Sequence, residues 1–223
     1  MQKIIVAIDG YAATGKSSLA KRLSKALGYK YIDTGAMYRA VTFFALQNKG
    51  MGMLNPKMLI NSLSQIKIEF KHNKEEQLIF LNNKEVTDTI RQSEVTSHVS
   101  SVARIPEVRS FLVGKQKEFG SGKGIVMDGR DIGSIVFPEA ECKFFLIASS
   151  EIRAKRRHLE QLQNGINESY GKVLENIITR DKLDSSRETS PLKKAIDAIE
   201  IDVSYLSIDE VFQRLWFHIS KKL

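Results

Sequence analysis

A short stretch near the start of the chain, AIDGYAATGKSS, requires a strand, a tight loop and a helix in immediate succession. Gly10 is followed after four residues by Gly15, Lys16 and Ser17. A β-branched run at 3–9 precedes the loop, and apolar residues at helical spacing follow it. Glycine permits backbone dihedrals that turn N–H groups inward, and a helix N-terminus presents the positive end of its dipole to an anion. The pattern therefore predicts a loop that wraps phosphate.

The polar residues of this loop indicate a nucleoside triphosphate held with magnesium. Lys16 is expected to reach the β- and γ-phosphates, and the Ser17 hydroxyl to ligate Mg²⁺ directly. Asp128, in the later stretch IVMDGRDIG, is expected to act on Mg²⁺ through water. The loop alone does not distinguish transfer of the phosphate from its hydrolysis. The residues predicted to bind ATP are Gly10, Tyr11, Ala12, Ala13, Thr14, Gly15, Lys16, Ser17 and Ser18.

The order of strands and helices predicts an α/β fold. Short apolar runs alternate with helical segments, which is typical of right-handed βαβ units with helices on both faces of a sheet. We therefore predict a P-loop NTPase fold with three layers, α/β/α, around a five-stranded parallel core sheet. The predicted strands are 3–9, 29–33, 124–129, 142–148 and 198–203.

Two regions interrupt this alternation. Residues 55–88 contain alternating apolar residues and the turn-forming pair Asn82-Asn83, which predict antiparallel strands in an insert on the parallel core. Residues 149–170 form a basic helical run and then the polar stretch NGINESYG, which indicates an exposed, mobile element. The last helix begins at Ser207 with the spacing of a capping box.

Composition narrows the class of protein without naming a function. The chain has 223 residues and one cysteine, Cys142, so an intramolecular disulfide is excluded, as is a zinc site built from cysteines alone. We expect a reducing, cytoplasmic setting, and no run of apolar residues is long enough to predict a membrane span. The net charge of +8 indicates anionic partners, which leaves both nucleic acid and phosphorylated small molecules open.

Arginines near predicted strand ends indicate a second anion site beside the loop. Arg130 and Asp131 follow the strand that ends in IVMDG, and the carboxyl ends of parallel strands share one crevice. In DTGAMYR, Thr34 is expected to cap a helix and Arg39 to lie one turn inside it. A solvated charged face is an alternative reading for TRDKLDSSR and for EIRAKRRHLE. Together these arginines favour a phosphorylated acceptor and phosphoryl transfer, with a lid that excludes water.

Four longer stretches carry a resemblance to a known family. DTGAMYRAVT, IRQSEVTSHVSSVARIPEVR, MDGRDIGSIVFPEA and TRDKLDSSRETSPL resemble bacterial cytidylate kinase, and the resemblance runs in register over about residues 4–207. The insert and the DGRD turn distinguish that family from adenylate and guanylate kinases. The resemblance implies an enzyme of pyrimidine nucleotide metabolism that transfers the γ-phosphate of ATP to CMP or dCMP. It also implies a single P-loop kinase module over 1–223, with a core at 1–34 and 104–223, a monophosphate-binding insert at 35–103 and a lid at about 151–170.

The family's functional residues map onto matching positions of this chain. The resemblance implies that Ser100, Arg109 and Asp131 read the cytosine edge, and that Arg39 and Arg130 bind the acceptor phosphate. The whole set implied for CMP is Thr34, Arg39, Ser100, Arg109, Arg130, Asp131, Arg180, Asp184 and Arg187. The catalytic set is Lys16, Arg130, Arg153 and Arg157, of which Arg153 and Arg157 fall in the lid. Mg²⁺ with ATP is the implied cofactor, and the enzyme is expected to be a monomer without nucleic-acid or membrane partners.

The loop departs from the pattern of many family members, which read Gly-Pro-Ser-Gly-Ala-Gly-Lys. Tyr11 replaces the proline and Ala13 replaces the middle glycine. An alanine fits there if its φ angle is negative. Two alternatives stay open: another P-loop kinase acting on UMP or shikimate, or a nucleotide-dependent nucleic-acid-binding protein, which the net charge and the basic helix suggest.

Overall fold

The computed structural model describes residues 3–48, 55–72 and 77–223. The chain divides into two compact units. Unit 1 consists of Met1–Ile32 and Phe119–Leu223, and unit 2 consists of Asp33–Glu118. The predicted division into a core, a monophosphate-binding insert and a lid is a functional one and stays a prediction. No helix among the described residues is long and apolar enough to cross a membrane.

Unit 1 is built on the predicted parallel sheet. Its strands, numbered in chain order, are β1 (Ile5–Gly10), β2 (Lys30–Asp33), β6 (Ile125–Gly129), β7 (Cys142–Ile147) and β8 (Ile199–Asp202). Their order across the sheet is β2-β6-β1-β7-β8. The central strand β1 is buried along its whole length and pairs in parallel with β6 on one side and β7 on the other. The carboxyl ends of these three strands therefore meet at one edge of the sheet, which confirms the predicted fold class.

The apolar sides of two helices of unit 1 pack against the sheet. The helices of unit 1 are α1 (Lys16–Leu27), α6 (Ser150–Gln163), α7 (Tyr170–Ser186) and α8 (Ile208–Ser220). Leu19 and Leu23 of α1 and Leu215 of α8 pack with Ile8 and Phe144 in the main core cluster. The predicted capping box of α8 is present, since Ser207 accepts the N–H of Glu210 and the Glu210 carboxylate accepts the N–H of Ser207.

The predicted lid region is helical along most of its length. Helix α6 ends at Gln163, residues 164–169 form a connection, and α7 begins at Tyr170. The two helices pack against each other through the buried residues Ala154, Val173 and Ile177. The sequence predicted the first of these helices and treated the start of the second as polar loop.

Unit 2 contains the predicted antiparallel strands. Its elements are α2 (Thr34–Gln47), α3 (Pro56–Ser62), β3 (Ile68–His72), β4 (Gln77–Leu81), β5 (Lys84–Glu85), α4 (Ser93–Val102) and α5 (Pro106–Gly120), the last of which ends in unit 1. The three strands form one sheet in the order β3-β4-β5. Asn82 and Asn83 have φ angles of 48° and 67° and form the turn between β4 and β5. Asparagine tolerates this left-handed conformation, which is why the pair signals a hairpin.

Candidate active site

The predicted phosphate-binding loop at residues 10–18, which we call the donor loop, joins the end of β1 to the start of α1, as the sequence predicts. Gly10 has a φ angle of 142°, and a Cβ atom placed on it would lie 2.1 Å from the carbonyl oxygen of Leu146 in β7. Gly15 has a φ angle of 85° and caps α1 without a side-chain hydrogen bond. The first turn of α1 holds no acidic residue, so its N–H groups and positive dipole end remain available to an anion. The geometry fits a phosphate at this helix end.

Lys16 lies buried in the loop, 5% exposed. Its Nζ donates to the carbonyl oxygen of Tyr11 at 2.5 Å and to Oγ1 of Thr14 at 3.3 Å. Burial lowers the pKa of Lys16 well below its ordinary value, and the positive charges of Arg130 and Arg180 act in the same direction. The carboxylates of Asp128 and Asp9 act against this shift. A buried site where three cations repel one another favours binding of a polyanion, which relieves the repulsion.

The two residues predicted to serve magnesium lie in contact. Ser17 donates from Oγ to Oδ2 of Asp128 at 2.8 Å, and the Tyr31 hydroxyl donates to Oδ1 of the same carboxylate at 2.8 Å. Among the residues described by the structure, no cluster of three or more His, Cys, Asp or Glu side chains forms a metal cage. A hydroxyl and one carboxylate nevertheless suit Mg²⁺, which usually keeps several waters and takes its other ligands from substrate phosphates.

Four of the residues predicted to serve the acceptor meet in unit 1. Arg130 donates from Nε to Oδ2 of Asp184 at 2.9 Å, and Nη1 of Arg187 lies 3.8 Å from Oδ1 of that carboxylate. Burial acts to raise the pKa of Asp184, but the charges of Arg130, Arg180 and Arg187 outweigh it and hold the pKa below its ordinary value. Asp184 therefore anchors Arg130, from the turn after β6, and Arg187, the residue that follows α7.

The two arginines predicted for the lid have different surroundings. Arg153 is 4% exposed and donates to the carbonyl of Ala148 at 2.8 Å and to Asp181 of α7 at 2.6 Å. Its Nη1 also reaches the carbonyl oxygen of Ala12 in the donor loop at 3.4 Å. Arg157 is partly exposed, and the contact described for it is with Glu160, three residues further along the same helix. Arg153 therefore joins α6, α7 and the donor loop, whereas the contact described for Arg157 lies within α6.

The two unusual residues of the donor loop both contact the α6–α7 pair. The ring of Tyr11 lies under the guanidinium of Arg153 at 5.1 Å and meets Phe145 edge to face at 6.1 Å. Ala13 packs against the small cluster between α6 and α7. Its φ angle is 58°, so the condition of a negative φ under which alanine was expected to fit is not met. The left-handed strain is offset in part by the methyl contact, which a glycine would lack.

We expect Ala13→Gly to change the free energy of unfolding by less than about 1 kcal/mol. Relief of the left-handed conformation stabilises by about 1–2 kcal/mol. Loss of the methyl contact and the greater freedom of glycine in the unfolded chain together destabilise by about the same amount. Urea denaturation measures the net change. Ala12→Gly is the matched control, because Ala12 has no positive φ to relieve, and it should destabilise by about 0.5–1 kcal/mol. A change above about 2 kcal/mol for Ala13→Gly would contradict this balance.

Unit 2 holds the other predicted acceptor residues, beginning with Arg39. Asp33 accepts the N–H of Ala36 at 2.8 Å and pairs with Nη2 of Arg39 at 3.1 Å. Burial acts to raise the pKa of Asp33, but Arg39, the Ala36 amide and Arg91 together lower it. The predicted cap at Thr34 is wrong: Asp33 caps α2, because its carboxylate accepts from the helix while Thr34 is the first helical residue.

Ser100 and Arg109 lie on neighbouring helices of unit 2. Ser100 is on α4 and 9% exposed, while Arg109 on α5 is 1% exposed. The guanidinium of Arg109 lies 5.4 Å above the ring of Tyr38 and donates from Nη1 to the carbonyl of Ala103 at 3.3 Å. These contacts set the orientation of Arg109 without fixing its role. The reading of cytosine by Ser100 and Arg109 stays a prediction.

Three polar residues of unit 1 were not assigned from the sequence. Tyr31 holds Asp128, Asp181 pairs with Arg153, and Asp9 accepts the backbone N–H groups of Ile132 and Gly133 at 2.8 Å each. Only Asp9 had a visible signal, as the single acidic residue in the otherwise apolar strand IVAIDG. The partners of Tyr31 and Asp181 are distant in sequence and come together only through the fold.

Asp9 should make the stability of the protein fall as pH rises from about 4 to about 7. Burial raises the pKa of Asp9 from 3.8 to about 7, and the Gly133 and Ile132 amides oppose this. Between those values the folded protein holds a proton that the unfolded chain has released, so raising the pH favours unfolding by up to about 4 kcal/mol. Urea denaturation at several pH values measures the slope. Asp9→Asn removes the titrating group and should flatten it; equal slopes in both proteins would contradict the expectation.

Comparisons with known proteins agree with the resemblance. A model of the family described as Cytidylate kinase matches residues 6–221. The chain is 52% identical over 222 residues to the cytidylate kinase of Anoxybacillus flavithermus, covering 100% of this chain and 98% of that protein. It is 54% identical over 216 residues to the cytidylate kinase of Flavobacterium johnsoniae, covering 95% and 94%. A solved structure of an uncharacterized protein from Eubacterium ventriosum has a TM-score of 0.53 at 12% identity and 99% coverage of both chains, a likeness of fold alone.

Proposed function

The chain belongs to the cytidylate kinase family, and on that premise we propose how its residues divide the work of phosphoryl transfer. It is an ATP-dependent phosphotransferase that acts on CMP and dCMP. The observation that carries the assignment of roles is the buried Lys16, whose Nζ lies on the carbonyl of Tyr11 within the donor loop and whose pKa the positive charges of Arg130 and Arg180 help to lower. Phosphoryl transfer is chiefly a matter of positioning and of stabilising charge on phosphate oxygens, so these cations are the groups it requires.

The donor side consists of the loop from Gly10 to Ser18. The backbone N–H groups and the start of α1 bind the phosphates of ATP, and Lys16 leaves the carbonyl of Tyr11 to contact the β- and γ-phosphates. Ser17 would ligate Mg²⁺ directly and Asp128 through water, with Tyr31 holding the carboxylate in place. Mg²⁺ bound there would neutralise charge on the phosphate oxygens.

The acceptor side requires cations for a phosphate monoester and hydrogen-bonding groups for a base. Arg39 and Arg130 bind the acceptor phosphate, and each is already held by one carboxylate, Asp33 or Asp184, that limits its rotation. Arg180, Asp184 and Arg187 approach the sugar and the rest of the nucleotide, and Thr34 contributes to the same ligand. Ser100, Arg109 and Asp131 hydrogen-bond the cytosine edge. The support for these roles is the match of each position to the family's motifs and the anchoring described above.

Arg153 and Arg157 act on the transferred group from helix α6. Arg153 is already anchored at the donor loop through Ala12 and Tyr11, so it needs little movement to meet the phosphates. Arg157 is partly exposed and paired with Glu160, so it would leave that carboxylate to contact the transferred group. Positive charge supplied from such a helix stabilises the transition state and helps to exclude water.

A coupled assay of ADP production tests the proposed function across CMP, dCMP, UMP, AMP and shikimate. We expect CMP and dCMP to be the preferred acceptors, with ATP as donor and an absolute need for a divalent cation. Preference for UMP or shikimate would overturn the choice of acceptor, and membership of the family already disfavours both.

The contacts of helix α6 argue against a nucleic-acid-binding function. Arg153 and Arg156 make internal contacts and do not form an exposed basic stripe. A monomeric, cytoplasmic enzyme remains part of the proposal.

Replacing Asp131 by alanine should lower the preference for CMP over UMP by at least about tenfold. A carboxylate that accepts a hydrogen bond from the cytosine amino group discriminates against uracil, which offers a carbonyl there, by about 1.5–3 kcal/mol. The ratio of kcat/KM for the two nucleotides measures this. The exposed Asp209, which pairs with Arg22, provides the control, and Asp209→Ala should leave the ratio unchanged. An unchanged ratio in Asp131→Ala would show that Asp131 does not read the base.

A further inference from the structure

Asp9 is a buried carboxylate to which the roles above give no task. It is the penultimate residue of β1 and 5% exposed. In the register of the sheet it lies beside Gly129, the last residue of β6. Its Oδ1 accepts the N–H of Ile132 and its Oδ2 accepts the N–H of Gly133, each at 2.8 Å. Both oxygens of one carboxylate are therefore committed to consecutive amides of the segment that follows β6.

The bonded amides directly follow Arg130 and Asp131. Beyond them the chain makes a single π-helical turn, Ile132–Val136. The carbonyl oxygen of Asp131 accepts the N–H groups of Ile135 and Val136 at 2.9 and 3.2 Å, which closes that turn. The Asp131 backbone is thus held on one side by this turn and on the other by β6. The carboxylate of Asp9 joins the turn to the central strand of the sheet.

The free-energy cost of burying the Asp9 carboxylate indicates that a carboxylate is needed at this position. Removal of a carboxylate from water is unfavourable, and burial accordingly raises the pKa of Asp9 to about 7 despite its two amide partners. The nearby Asp131 carboxylate adds repulsion, and Lys16 opposes it. An apolar residue in β1 would avoid this cost but would leave two buried N–H groups unpaired. Asp9 is the acceptor that lets this turn lie against β1.

We infer that Asp9 is a positioning residue for the acceptor nucleotide: by holding the Ile132 and Gly133 amides it orients Arg130 and Asp131 towards their ligand. Asp9 itself contacts no substrate. The inference rests on the proposed roles of Arg130 with the acceptor phosphate and of Asp131 with the base. Strand β1 then has two functions: its last residue, Gly10, begins the donor loop, and its penultimate residue, Asp9, positions the turn that binds the acceptor.

The test is the isosteric variant Asp9→Asn. An asparagine offers one acceptor oxygen and an NH₂ group that meets one of the two amides donor to donor, so the turn must shift. We expect the KM for CMP to rise about tenfold and the CMP to UMP ratio of kcat/KM to fall, whereas the KM for ATP changes less than about twofold. Steady-state kinetics with each substrate varied in turn measures all three.

Glu141→Gln is the matched control. Glu141 accepts the N–H of Ile5 at 2.8 Å and so makes the same kind of carboxylate–amide bond at the other end of β1. We expect Glu141→Gln to lower the Tm and to leave both KM values and the base preference unchanged. Asp9→Glu is a second test variant if Asp9→Asn does not fold, since it keeps the charge but displaces the oxygens by one methylene. It too should raise the KM for CMP selectively.

The inference is overturned if the variants at Asp9 match Glu141→Gln in their KM for CMP, or if the KM values for ATP and CMP rise together. Those outcomes would assign Asp9 to general stability or to the donor loop. Failure of the proposed function has a different signature, because the unaltered enzyme would then not prefer cytidine nucleotides, or Asp131→Ala would leave base preference unchanged.

Discussion

Lys16→Ala should reduce kcat by about 1,000-fold or more, which corresponds to about 4 kcal/mol of transition-state stabilisation. The side chain is the only lysine of the donor loop, and its Nζ already lies within the loop, on the carbonyl of Tyr11 and Oγ1 of Thr14. When phosphates bind, the ammonium gains anionic partners in a buried setting where charge interactions are strong. Its low pKa in the free protein should recover at that point, because the phosphates offset both burial and the repulsion from Arg130 and Arg180.

The same variant should remain folded, since the buried ammonium is itself unfavourable in the free protein. We expect the Tm of Lys16→Ala to stay within a few degrees of the unaltered protein, and Lys16→Met, which keeps the volume, to be at least as stable. Lys21→Ala, on the exposed side of α1, is the control for changes in net charge and should keep full activity. Residual activity within tenfold of the unaltered enzyme would refute the role of Lys16.

Gly10→Ala should both destabilise unit 1 and disable the donor loop. The added Cβ would lie 2.1 Å from the carbonyl oxygen and 2.9 Å from the nitrogen of Leu146, and both are backbone atoms of β7 that cannot rotate away. The φ angle of 142° adds strain for any residue with a side chain. Overpacking and backbone strain together predict a loss of about 3–5 kcal/mol in the free energy of unfolding.

Separation of β1 from β7 would also move the loop that begins at Gly10. A displacement of about 1 Å at a positioning group lowers kcat/KM for ATP by about 100-fold. Urea denaturation and ATP kinetics measure the two effects. Gly114→Ala is the matched control, because Gly114 lies on α5 and no described atom beyond its own helix backbone and chain neighbours lies within 4 Å of its added Cβ; it should stabilise by about 0.5–1 kcal/mol. If Gly10→Ala were as stable as Gly114→Ala, the close approach of β7 would not be the reason for this glycine.

The elements predicted well from sequence are those whose signals are local. The glycine and lysine spacing of the donor loop, the apolar run of β1 and the Asn82-Asn83 turn each depend on neighbouring residues, and all three are confirmed. The cap of α2 was missed by one residue because Asp33 and Thr34 are both good capping residues. Backbone geometry selects between them, since Asp33 is extended and Thr34 is already helical.

Predictions about individual arginines were weaker, because a long charged side chain has several partners within its reach. Arg153 and Arg157 are one helical turn apart and looked equivalent in the sequence. In the structure Arg153 is buried between Asp181, Ala12 and the ring of Tyr11, whereas Arg157 is partly exposed and pairs within α6. Residues four apart lie on the same side of a helix, so helical spacing does not separate the two arginines; their positions along α6 relative to Asp181 and the donor loop do.

The sequence by itself determined the class of fold and the place of the donor loop between β1 and α1. Both follow from short-range patterns of hydrophobicity, glycine and charge, which act through local backbone preferences and through the alternation of strands and helices. Only the tertiary structure decided why Gly10 must lack a side chain, which carboxylate orders the turn after β6, and how Ala13 stays in a left-handed conformation. Each of these depends on atoms more than 100 residues away in the chain, such as Leu146, Ile132 and Val173, that folding brings within contact distance.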